Sequence, residues 1–150
     1  QHRYGTISWS GDISASWDTL KKQIPAGLNY CVTGEPYWTL DVGAFFVKRD
    51  KKLWFWDGLY EKGCDDLGYR ELYVRFLELG AFLPVFRSHG TDTPREIWNF
   101  GKPGEIFYDA MVRFIRLRYC FLPYIYSLAA GVSLRNGTMM RMLPFDFVPT

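Results

Sequence analysis

Tyr4-Gly-Thr-Ile-Ser-Trp-Ser-Gly-Asp12, Pro36-Tyr-Trp-Thr-Leu-Asp41 and Ala81-Phe-Leu-Pro-Val-Phe-Arg-Ser-His89 are short apolar runs that each end on side chains able to do chemistry. A helix-like stretch follows each of them. Strand signals alternating with helical ones read as strand–helix–strand units and a parallel sheet. In a barrel of parallel strands wrapped by helices, ligands sit where the strands end and the loops to the next helices begin. Asp12, Asp41 and His89 are therefore candidates for an active-site rim. Two carboxylates and a histidine at successive positions of that kind, in an α/β pattern, point to an enzyme rather than a passive module.

The 150 residues have the length of one domain and can bury a real core. Hydrophobic residues make up 48% and charged residues 23%, which excludes a disordered chain. No apolar run approaches the ~20 residues that cross a bilayer. A net charge of +2, scattered along the chain, gives no footprint for nucleic acid or an anionic surface. Neither nucleic acid nor membrane is expected as a partner. Aromatic residues reach 19%, which suits either a thick core or a sugar site in which flat rings stack on pyranose faces. Cys31, Cys64 and Cys120 are isolated, and with only His2 and His89 beside them no cluster has zinc-ligand spacing. No metal or organic cofactor is expected.

Ser16 heads the first helix as an N-cap, with Asp18 in the first turn where the dipole favours negative charge. Leu20, Ile24, Leu28 and Cys31 recur at helical spacing and predict one buried stripe. Pro25 predicts a kink or an early break, and Gly34 the stop. The second helix is expected from Asp65 or Asp66, with Tyr69, Leu72, Tyr73, Phe76 and Leu77 on its apolar face. The third is expected over 105–130, turning Met111, Phe114 or Ile115, Phe121, Ile125 and Leu128 inward. Arg113, Arg116 and Arg118 are assigned to its other faces, and Pro123 should bend it. Asn136-Gly-Thr138 reads as a turn, and Met139–Leu143 as the lead into a further extended segment. Between Gly43 and Cys64, the charge cluster with Trp54 and Trp56 reads either as an inserted loop on the active-site side or as a solvated excursion anchored by its indoles.

Cleavage of a glycosidic bond usually needs two carboxyl groups, one of them protonated to assist the leaving oxygen. Asp12 is the best donor: Gly11 lets the backbone turn before it, and the indole of Trp9 offers the apolar surroundings that keep an acid protonated. Taken alone, Gly-Asp is a common turn and Asp12 reads first as a helix cap; the case for the acid rests on the set of positions. A complete eight-fold barrel takes about 250 residues. Three strand–helix units would leave both edges of a parallel sheet open. The chain is therefore expected to be part of a larger catalytic domain.

Trp9-Ser-Gly-Asp12 with Trp17, Pro36-Tyr-Trp-Thr-Leu-Asp-Val-Gly-Ala-Phe45, Phe86-Arg-Ser-His-Gly90, Arg116-Leu-Arg-Tyr119 with Leu122-Pro-Tyr-Ile-Tyr126, and Met139-Met-Arg141 occur here in one order and spacing. Together they make nearly the whole chain resemble the second half of the catalytic barrel of glycoside hydrolase family 31. The resemblance implies an α/β (β/α)8 TIM barrel of which residues 1–150 supply roughly the last three strand–helix units. Residues 43–65 would be a loop insertion, and 138–150 would lead toward a following domain. It implies a retaining α-glycosidase that removes terminal α-linked xylose or glucose from oligosaccharides by double displacement. Asp12 takes the family's acid/base position. Asp41 and His89 line the subsite of the cleaved sugar, Trp9 walls it, Arg87 holds local polar groups, and Trp38 lies near the same pocket. The nucleophilic Asp falls on an earlier strand, in the rest of the catalytic chain upstream, so these residues alone are expected to be inactive. A transglycosylating relative and a non-catalytic carbohydrate-binding homologue share the same pattern. Two departures stand out: Ala44 replaces a more usual second glycine, and the loop from Val47 to Cys64 is longer than in the simplest members.

Overall fold

A computed structural model describes residues 5–147. His2, Tyr4 at the head of the first run, the strand edge before it, and the last three residues of 138–150 lie outside the described residues. Strand β1 (Ser8–Trp9) and strand β2 (Trp38–Thr39) pair in parallel, Ser8 against Trp38 and Trp9 against Thr39. Helix α1 (Trp17–Val32) connects them. Parallel neighbours need such a crossover, because no tight turn can reverse the chain twice. Helix α2 (Leu67–Phe82) and helix α3 (Ile106–Arg135) follow.

The third run departs from expectation. Ala81 and Phe82 belong to the last turn of α2, and what remains forms no ladder. It still lies alongside β2: the Thr39 hydroxyl donates to the Val85 carbonyl at 2.8 Å, and Val42 and Ser88 form a parallel bridge. The three runs thus lie side by side in chain order. The extended segment expected beyond Met139–Leu143 is not formed among the described residues, where Leu143–Phe145 make a short 3-10 turn.

In α1, the Ser16 hydroxyl accepts from the Thr19 amide at 3.0 Å as an N-cap, and Gly34 closes the end with φ +95°. Pro25 does not break the helix. The carbonyl its missing N–H would have bonded belongs to Lys21, and both residues are on the exposed face, open to water. The buried face is Gln23, Gly27 and Cys31 rather than the stripe through Ile24, which is 46% exposed. The cause is Trp38, whose ring occupies the space a side chain at 27 would need. A Cβ on Gly27 would stand 2.6 Å from it.

Helix α2 starts at Asp66, which accepts from the Gly68 amide at 2.9 Å. Its expected face of Tyr69, Leu72, Tyr73, Phe76 and Leu77 is buried throughout. Gly80 brings this helix against Val42, where a Cβ would sit 2.7 Å from the valine. In α3, Met111 is fully buried, Phe114, Ile115, Phe121, Ile125 and Leu128 are half-buried, and Pro123 is accommodated inside the helix. The helix runs five residues past expectation. It ends at Asn136 in the left-handed region (φ 53°), with the Gly137 amide on the Gly131 carbonyl at 3.2 Å.

Arg118 is the main correction on α3. It points inward, 8% exposed, and donates to the carbonyls of Ala81 (3.1 Å), Leu83 and Pro84 (2.9 Å). The end of α2 leaves carbonyls without helical donors, and a single guanidinium satisfies them while its stem packs as apolar material. Arg118 therefore fixes the segment leading to Arg87. Each buried carbonyl left unsatisfied costs ~1–3 kcal/mol. Arg118→Met in the intact protein should therefore destabilise by roughly 3 kcal/mol or more, seen as a lowered melting temperature. Arg118→Lys should restore only part of it, because one ammonium cannot span all the acceptors.

Candidate active site

Each strand end reaches the rim through a turn that its sequence allows. After β1, Gly11 takes φ +82°, a conformation open to glycine, and delivers Asp12 to the surface. After β2, the chain turns at once: the Ala44 amide bonds the Asp41 carbonyl at 2.8 Å, with φ +90° at Gly43 and 64° at Ala44. The left-handed value explains why glycine suits position 44. The two turns are stitched together by Phe45 N–H to Ile13 carbonyl (2.8 Å) and Ala15 N–H to Phe46 carbonyl (2.8 Å).

Helix α2 holds the second and third loops from behind through two tyrosines. The Tyr69 hydroxyl donates to the Gly43 carbonyl at 2.8 Å. The Tyr73 hydroxyl donates to the Arg95 carbonyl at 2.7 Å and lies 2.9 Å from the Ser88 hydroxyl, which donates to the Val42 carbonyl at 2.9 Å. The Arg95 guanidinium in turn donates to the carbonyls of Ala44 and Thr93. The apolar periodicity of α2 predicts both tyrosines as core. It carries no sign that their hydroxyls brace the rim, and Arg95 bears no motif of its own.

Trp9, Asp12, Arg87 and His89 line one open cleft of about 360 Å³, with Thr39 and Val85 among its other walls. Asp12 and His89 are exposed, and Trp9 is 53% exposed. Asp12 is the one carboxyl among the described lining residues. Two expected members are absent from the lining. Trp38 is 3% exposed and packs on Gly27 of α1. Neighbouring positions on a strand face opposite sides, so Thr39, paired with Trp9, takes the cleft side and sends Trp38 to the helices. Asp41 has no exposed surface and does not line the cleft. Its Oδ1 accepts from Arg87 Nη1 at 2.7 Å, and its Oδ2 is buried without a partner among the described residues. Burial pushes this carboxyl above its ordinary value, against the Arg87 hydrogen bond and charge and the His89 charge, with Asp12 adding to the rise. Among the described residues Asp41 stands behind Arg87, which lines the cleft.

An acid, an indole, an arginine and a histidine thus share one cleft at the ends of three runs that lie side by side, the arrangement of an α/β barrel rim. Residues 1–128 match the glycosyl hydrolases family 31 TIM-barrel domain, and the chain belongs to that family, whose fold is the (β/α)8 barrel. It is 42% identical over 147 residues to an α-xylosidase of Saccharolobus solfataricus, covering 98% of this chain and 18% of that protein. It is 36% identical over 147 residues to a probable glucan 1,3-α-glucosidase of Oryza sativa, covering 97% and 14%. The crystal structure of a family 31 α-xylosidase from Xanthomonas citri superposes with a TM-score of 0.83 at 41% identity, covering 97% of this chain and 15% of that one. The chain therefore spans less than a fifth of the length of these proteins.

The turn after Asp41 yields a paired test. A Cβ on Gly43 would lie 2.4 Å from the Tyr73 ring, at a φ that already disfavours a side chain. Overpacking of ~1–3 kcal/mol and left-handed strain of ~1–2 kcal/mol add, so Gly43→Ala should cost roughly 2–5 kcal/mol in thermal melts. Ala44→Gly relieves ~1–2 kcal/mol of strain but loses a buried methyl (~0.8 kcal/mol) and adds unfolded-chain entropy (~0.4–1 kcal/mol). It should change stability by less than about 1 kcal/mol.

Proposed function

We propose that this chain is the acid/base-bearing part of a retaining α-glycoside hydrolase, removing terminal α-linked xylose or glucose from oligosaccharides. The observation that carries this reading is the cleft itself. Asp12 stands in it as the only carboxyl among the described lining residues, while the other carboxyl of the rim, Asp41, is buried behind Arg87. Retaining hydrolysis divides its work between a proton donor and a nucleophile on a second carboxyl. Asp12 is the donor, and the nucleophile comes from the rest of the catalytic chain upstream. In the first step Asp12 protonates the glycosidic oxygen as the bond to the anomeric carbon breaks. In the second, Asp12 as carboxylate takes a proton from the water that releases the sugar.

Trp9 supplies the wall, and Arg87 and His89 supply hydrogen bonds to sugar hydroxyls. Asp41 fixes the angle at which Arg87 does so. Xylose is favoured over glucose by the higher identity to proteins named for xylosidase activity. The chain forms the last three strand–helix units of its barrel, with 43–65 as a loop insertion and 138–150 leading toward a following domain. Supporting this, its runs lie side by side with helices behind them, while Tyr124, Tyr126 and Leu134 on α3 are 63%, 79% and 79% exposed, ready for further cover.

The test is Asp12→Ala in the intact enzyme. Turnover of a glycoside with a poor leaving group should fall ~10²–10⁴-fold, the usual value of general acid assistance. An activated aryl glycoside should lose less in the bond-breaking step. Added azide should restore part of its turnover, since a small anion attacks the glycosyl-enzyme without a general base. Equal losses on both substrates with no azide rescue would reassign Asp12 to a structural role in the turn after β1.

A further inference from the structure

His89 is the one imidazole among the described residues of the cleft, and the chain is tied down on either side of it. Before it, Ser88 bridges Val42 in parallel, and the Ser88 hydroxyl donates to the Val42 carbonyl at 2.9 Å. After it, the Thr91 amide donates to the Phe45 carbonyl at 3.3 Å. The Phe45 ring packs on the imidazole with centroids 5.5 Å apart. Gly90 lies between these anchors, and Arg95, further along the same loop, folds its guanidinium back against it.

The guanidinium fills a slot that two glycines leave open, one on each loop. A Cβ on Gly90 would overlap it, and a Cβ on Gly43 would lie 3.0 Å from Nε. Gly90 is not in the left-handed region, so the guanidinium and not the backbone excludes a side chain there. From this slot Nη2 donates to the Ala44 carbonyl and Nη1 to the Thr93 carbonyl, with the Tyr69 ring centroid 5.8 Å from the guanidinium carbon. The Arg95 carbonyl accepts from the Tyr73 hydroxyl at 2.7 Å, and that hydroxyl lies 2.9 Å from Ser88 Oγ. Arg95 therefore reaches both neighbours of His89, Gly90 with its side chain and Ser88 through Tyr73. It does not itself line the cleft. A planar fork of donors bonds carbonyls of two loop segments at once, which a compact ammonium cannot match.

We infer that Arg95 is a positioning residue for His89, a guanidinium wedge that sets the imidazole against the turn following Asp41. The inference rests on the hydrolase reading above, in which His89 hydrogen-bonds a sugar hydroxyl. Arg95 touches no substrate and moves no proton. It packs on the residue after His89, and its bond to Ala44 fixes the residue before Phe45. The backbone beside the imidazole and the ring against it are thus held by one side chain.

The experiment is a double-mutant cycle in the intact enzyme, pairing Arg95→Met and Arg95→Lys each with His89→Ala. It is read as kcat/KM on an aryl α-xyloside and an aryl α-glucoside, with melting temperatures beside it. Misplacing a reacting part by about 1 Å can cost on the order of a hundredfold, so Arg95→Met should lower kcat/KM roughly ten- to a hundredfold. Arg95→Lys should lose less, and it carries the cycle where the methionine variant fails to fold. In the His89→Ala background neither substitution should add more than about a twofold loss, because residues that act through one another are not additive. The melting temperature should fall by the same amount in both backgrounds. Losses by the same factor with and without His89 would overturn the inference and make Arg95 a scaffold residue. Unchanged kcat/KM in the folded Arg95 variants would overturn it too. Wild-type enzyme inert toward both glycosides would instead overturn the hydrolase reading, and the positioning role with it.

Discussion

A carboxyl group with no exposed surface, bonded through one oxygen to a guanidinium 2.7 Å away, is the constraint on which the rim depends. Removing Arg87 would leave the Asp41 carboxyl buried without a hydrogen-bond partner among the described residues. Asp41 and Arg87 therefore fix the ends of the second and third runs relative to each other. The pair is also poised. Burial favours the neutral carboxyl and outweighs Arg87 and His89, so the Asp41 pKa lies above its ordinary value. The favourable contribution of the neutral form is complete in acid, below the unfolded-chain value, and is lost as pH rises through the shifted one. At higher pH the ionised carboxyl is held by the Arg87 guanidinium 2.7 Å away.

The packing behind these two runs is the work of α2. A helix needs only an apolar stripe to dock, but this stripe carries Tyr69 and Tyr73, whose hydroxyls end within hydrogen-bond reach of Gly43 and Arg95. Tyr73 stacks on Phe100 with ring centroids 4.3 Å apart, which holds the phenol in register with Ser88. Burial raises both phenol pKa values, so these groups remain neutral donors. Arg118 does the same service at the other end of the third run. The residues that face the cleft are thus held by others that never reach it.

The cleft faces solvent because Asp12, Trp9 and His89 sit on the open ends of this frame. Ala44 marks the cost of the arrangement. A non-glycine residue in the left-handed region is tolerated there because the Arg95 guanidinium and the Ile13 carbonyl hold the turn on both sides.

Local chemistry was readable from the chain by itself. Ser16 and Asp66 announce their helices because a cap acts within three residues, and the stripe from Tyr69 to Leu77 needs only helical periodicity. The order of the motifs around Asp12, Asp41 and His89 was likewise enough for the family and the barrel class. Only the tertiary structure decided which way those side chains turn. Trp38 faces α1 because its strand register with Trp9 fixes Thr39 on the cleft side, and Ile24 is displaced from the buried stripe by that same indole. Ala81 and Phe82 extend a helix rather than begin a strand, Ala81 buried in the core and Phe82 meeting Phe121 of α3 at 5.6 Å. Arg118, placed outward by its charge, turns inward to meet carbonyls more than thirty residues away. Asp41 is withdrawn behind Arg87. Each of these outcomes depends on a partner distant in the sequence, and no pattern of neighbours encodes it.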